Sequence, residues 1–120
     1  MSEFIVTSIS EWLALPEPSL PSIKNPTEKG SVYHLYKVGF FLVPNEQMAK
    51  APEKAQIFGG KKILPTAVID FEEKKVLCRL PLELSEWVST CVSMAHAGHN
   101  TFPSKVELGN LNGRAYAELL

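Results

Sequence analysis

Ser31-Val32-Tyr33-His34-Leu35-Tyr36-Lys37-Val38-Gly39-Phe40-Phe41-Leu42-Val43 is the stretch that decides the fold. β-Branched and aromatic residues dominate it, which favours an extended chain over a helix. Both phases of the alternation are mostly apolar, with His34 and Lys37 as the exceptions. A strand that is apolar on both faces belongs at the centre of a sheet covered on both sides, or has one face closed by a partner. Gly39 interrupts the pattern and predicts a bulge.

Upstream, Pro16 to Gly30 holds Pro16, Pro18, Pro21 and Pro26 and reads as a long loop. Such a loop is disordered, laid over the surface by Leu20 and Ile23, or functional. Before it, Ser8-Ile9-Ser10-Glu11 matches a capping box, so a short helix carrying Trp12, Leu13 and Leu15 should follow and stop at Pro16. Phe4 to Thr7 reads as a first strand.

Downstream, Pro44-Asn45-Glu46 opens a helical stretch with Asn45 as its cap, broken at Pro52 and ended by Gly59-Gly60. Ile63–Phe71 and Val76–Leu82 predict a hairpin around Glu72-Glu73-Lys74-Lys75, with Pro65 and Pro81 near strand ends. Ser85 to Ala97 is the clearest helix: Ser85 caps it, Leu84, Val88, Cys91, Val92 and Ala95 form its apolar stripe, and Gly98 ends it. Lys105–Leu108 and Arg114–Leu119 flank a turn in which Asn112-Gly113 favours a type I′ hairpin. The order is β-α-β-α-β-β-α-β-β. It predicts an α+β domain: an antiparallel or mixed sheet of five or six strands packed by two or three helices. The 120 residues fit a single domain, residues 1–120.

Bulk chemistry narrows the partners. The net charge is -1, and 12 lysines and arginines are scattered along the chain, so no basic patch for nucleic acid is expected. The aromatics of Tyr33 to Phe41 read as core, since they lack the spacing of an RNA-recognition strand. No apolar run approaches the roughly 20 residues of a membrane span. The first residues lack a basic-then-apolar secretory pattern, so a cytoplasmic location is expected. The 2 cysteines, Cys78 and Cys91, both fall in apolar patterns and read as buried free thiols.

Few features carry chemistry. His96 and His99 are spaced for one helical face, but Gly98 turns the chain between them and no acidic or sulfur ligand adjoins, so no metal and no cofactor is expected. Phe58-Gly59-Gly60-Lys61-Lys62 reads as a helix end and a turn, without the P-loop context of a strand before and a helix after. There is no Gly-x-Ser-x-Gly elbow, and Asp70 is the sole aspartate. Catalysis is therefore not the expected role.

One face of the Ser85–Ala97 helix stands out: Ser89, Thr90, Ser93 and His96 are small or uncharged, and Glu86 is the helix's one carboxylate. A solvent-facing helix normally carries several charges. The expectation is a non-catalytic protein-interaction module, acting as a homodimer or binding another protein as an adaptor, inhibitor or immunity protein. The alternative is a small-molecule-binding protein or enzyme, with a pocket lined by His34, His96 or His99.

Overall fold

The computed structural model describes residues 6–120. Ser31–Leu42 form the long strand that the alternation predicts; it is β2. Around it lie α1 (Ile9–Ala14), β1 (Ser22–Ile23), β3 (Gln56–Phe58), β4 (Lys61–Phe71), β5 (Lys74–Arg79), α2 (Ser85–His96), β6 (Ser104–Leu111) and β7 (Arg114–Leu119). Two 3-10 turns, Asn45–Lys50 and Leu82–Leu84, complete the described elements. The chain is a single α+β domain with a mixed sheet of seven strands.

β2 is central. It pairs antiparallel with β4 on one side and β6 on the other. β4 in turn pairs with β3 and β5, and β6 with β7; β1 lies parallel to Asn110 and Leu111 of β6. Seven strands exceed the expected five or six because Gln56–Phe58 and Ser22–Ile23 are extended rather than helical and irregular. The strand expected at 4–7 falls partly outside the described residues, and Val6 and Thr7 carry no strand pairing.

The apolar character of both β2 faces has a specific origin. The register against β4 slips between Leu35 and Lys37, so Tyr36 is an extra residue and the facing parity changes there. Tyr33, Leu35, Val38 and Phe40 thus pack with one core, which includes Ala67, Ile69, Cys78, Val88 and Val106. Phe41 and Val43 join a second core with Ile9, Trp12, Ala55 and Leu64. The bulge is at Tyr36 and not at Gly39, which pairs regularly with Thr66.

α2 crosses the first face and buries Val88 and Cys91. Ser85 is its first helical residue rather than its cap: Leu84 holds that position, and the Ser85 hydroxyl is buried without a partner among the described residues. The C-terminus ends as expected. Gly98 adopts φ 92°, the Gly98 N–H donates to the Ala95 carbonyl (3.1 Å), and the His99 N–H donates to the Met94 carbonyl (2.7 Å). Those are the paired bonds of a Schellman cap.

α1 covers the second face. Ser8 caps it, its Oγ accepting from the Glu11 N–H at 3.1 Å. Trp12 is buried and its indole N–H donates to the Pro65 carbonyl at 3.2 Å. Arg79 lies over the Trp12 ring, donates from Nε to the Leu15 carbonyl (3.2 Å) and pairs with Glu17 (3.0 Å). The proline loop is laid over the sheet. The Tyr33 hydroxyl accepts from the Ser19 N–H (2.8 Å), and the Pro21 carbonyl accepts from the Asn110 N–H (2.9 Å).

Pro65 sits in the middle of β4, not near its end. Pairing with β3 ends at Ile63 and pairing with β5 begins at Thr66. The Pro65 carbonyl accepts from the Leu80 N–H at 3.1 Å, so its nitrogen faces the same outer edge, in the gap between β3 and β5. There the missing N–H costs no ladder bond.

Candidate functional site

α2 covers only part of its sheet face. Beyond it, the ends of β2, β4 and β3 continue uncovered. The result is a groove of about 660 Å³ between the helix and the sheet. Val38, Phe40, Leu42 and Ile63 form its floor, Gln56 and Phe58 of β3 one wall, and Ser89, Val92, Ser93 and His96 of α2 the other. Leu42 is 54% exposed and Phe58 is 72% exposed.

Local sequence explains each wall. Gln56 pairs with Ile63, and Phe58 with Lys61, which places Phe58 at the tip of the β3–β4 hairpin. Gly59 and Gly60 supply φ values of 60° and 80°, the left-handed pair that a two-residue hairpin turn requires. The glycines therefore join two strands; they do not end a helix. On α2, Ser89, Ser93 and His96 recur at helical spacing and share one stripe. The Ser89 hydroxyl donates to Gln56 Oε1 at 3.2 Å, tying helix to β3 across the head of the groove.

Three of the four residues anticipated on the uncharged helix face thus line the groove: Ser89, Ser93 and His96. Thr90 does not. It is exposed, and its hydroxyl donates to the Glu86 carbonyl at 3.0 Å. A second hollow of about 310 Å³ continues past His96 toward Asn100 and Phe102.

The three histidines are not brought together. His34 neighbours Tyr33 on β2, and Tyr33 packs into the α2-side core, so His34 faces the opposite side of the sheet. There it stacks on Tyr36 at 4.9 Å, with the Lys75 ammonium 4.3 Å from the Tyr36 ring and the Tyr36 hydroxyl donating to Asp70 at 3.4 Å. His96 lines the groove, and His99 is exposed beyond the helix cap. Among the described residues no group of three or more His, Cys, Asp or Glu side chains could hold a metal ion.

The groove's chemistry is apolar and uncharged. Cys91 packs beneath α2; burial raises its thiol, and burial pushes the Cys78 thiol up to about 11. Both cysteines are buried and free, as the sequence predicts, and burial disfavours the thiolate of each. Ser89 engages Gln56 rather than a base. Sequence reasoning missed Leu42 and Phe58. The signal was weak: Phe58 beside Gly59-Gly60 reads equally as a helix end, and only pairing with β4 shows it as a hairpin tip.

No helix among the described residues is long and apolar enough to cross a membrane. The chain matches no protein-family profile, no curated protein and no solved structure.

Proposed function

We propose that the protein is a non-catalytic interaction module whose recognition surface is the groove between α2 and the β2–β4–β3 end of the sheet. One observation carries the reading: an apolar floor with Leu42 and Phe58 more than half exposed, walled by a helix stripe of small uncharged groups. Exposed apolar area of this kind, rimmed by neutral polar groups, is the usual form of a protein-docking surface. A small-molecule site built on His34, His96 and His99 finds less support, because those side chains point to different parts of the surface.

The test is comparative affinity capture from source cells, with the parent chain and Phe58→Asp as baits. The substitution is at an exposed tip, so both baits fold, as circular dichroism would verify. A protein partner, this chain included, that the parent retains and Phe58→Asp loses is the expected result. Identical captured sets would refute the groove as the recognition surface.

A further inference from the structure

We infer that the groove's occupant is the β3–β4 hairpin tip of a second copy of this chain, the two grooves facing each other across a twofold axis. This rests on reading the groove as a protein-recognition site. Two observations select the second copy.

The first is shape. Knob and hole lie side by side on the same surface. Phe58, 72% exposed, stands at the hairpin tip on the rim of the concavity that it and Gln56 wall. Nothing lies within 4 Å of where a side chain at Gly59 or Gly60 would begin, so the tip is unobstructed. A twofold interface is self-complementary: if the knob of one copy enters the hole of the other, the reverse contact follows by symmetry.

The second is charge. Lys61 is the cross-strand partner of Phe58, so it shares the tip and faces the groove side. Glu86 is exposed and continues the Ser89–Ser93 stripe toward the helix N-terminus. Neither forms an ion pair within the chain among the described residues. The knob thus carries a positive charge and the hole's wall a negative one. Reciprocal docking sets Lys61 of each copy against Glu86 of the other, while the groove between stays uncharged and suffers no like-charge contact across the axis.

Sedimentation velocity at high micromolar concentration tests the inference. The parent should be a dimer and Phe58→Asp a monomer with an unchanged circular dichroism spectrum. Glu86→Lys and Lys61→Glu should each weaken self-association about tenfold, as two charge pairs at the rim turn from attraction to repulsion. An equimolar mixture of those two variants should restore it, because each mixed dimer regains both opposite-charge pairs. A monomeric parent would overturn the second copy as occupant; so would a dimer that survives Phe58→Asp, or a mixture no tighter than its components. The groove reading fails separately, only if affinity capture is also indifferent to Phe58→Asp.

Discussion

Trp12 and Phe58 are both large aromatic side chains set against β4, one on each face of the sheet, and their fates differ. Trp12 is 4% exposed, its N–H satisfied by Pro65 and its ring lidded by Arg79. Phe58 is 72% exposed at a glycine hairpin tip. The second face is closed by a six-residue helix together with Ala51 and Ala55, which follow the first 3-10 turn. The first face has a helix of 12 residues and still leaves its end open. A longer helix therefore does not by itself close a face. The chain invests its burial where it stabilises the monomer, and leaves uncovered an area whose burial would stabilise a complex.

That contrast is sharpest in unfolding. Trp12→Ala should cost about 3–5 kcal/mol in urea denaturation, the range for deleting a buried large aromatic. Phe58→Ala, measured at a concentration low enough to keep the chain monomeric, should stay within about 0.5 kcal/mol of the parent. Comparable losses at the two positions would erase the distinction.

A smaller difference separates two hairpins. On the β4–β5 side, Glu72 and Glu73 hold φ values of 51° and 69°, a strain that non-glycine residues carry only where the strands on either side fix it. On the β3 side, glycines hold the same turn without strain. Glu73→Gly should raise stability by about 1 kcal/mol, and Gly60→Ala should lower it by a similar amount. Thermal melts of the two variants check the opposite signs; same-sign shifts would show that the turns are equally strained.

The smallest expected effect concerns pH. At the β6–β7 pair, outside the lining of the groove, the Tyr116 hydroxyl and the Gly30 N–H donate to Glu107 and hold its carboxyl below the ordinary carboxylate range. A carboxyl depressed on folding contributes stability above its unfolded pKa and loses it as pH falls through the folded value. Tm should therefore drop on acidification, and Tyr116→Phe should flatten that drop while Phe58→Ala leaves it unchanged. Parallel Tm–pH curves for Tyr116→Phe and the parent would disconnect Glu107 from the acid limb.

Much of this was legible in the sequence for reasons the structure makes plain. The Asn112-Gly113 turn, the α2 stripe and the Gly98 cap depend on a few adjacent residues. So does the uncharged helix face, since a missing charge is visible without knowing the fold. What stayed hidden depends on partners distant in sequence. The bulge at Tyr36 exists only relative to Ile69 and Val68. Gln56–Phe58 is a strand only because Lys61–Ile63 pairs with it. His34 and His96 look alike in sequence, but alternation beside Tyr33 on β2 sets the face of the one and the packing of α2 sets that of the other. The groove itself is a remainder, the part of a sheet that a helix does not reach, and no local pattern encodes a remainder.

Pro65 has a consequence beyond tolerating its place in β4. Along its outer side β4 offers a row of backbone groups, taken up by β3 as far as Ile63 and by β5 from Thr66. At Pro65 that row is interrupted twice over: there is no N–H to offer, and the carbonyl is already engaged by both Leu80 and Trp12. β3 and β5 are thereby kept as two short separate edges instead of one long continuous one. Pro65 thus marks the break between those two edges, on the margin of the sheet that carries the exposed Ile57 and Phe58.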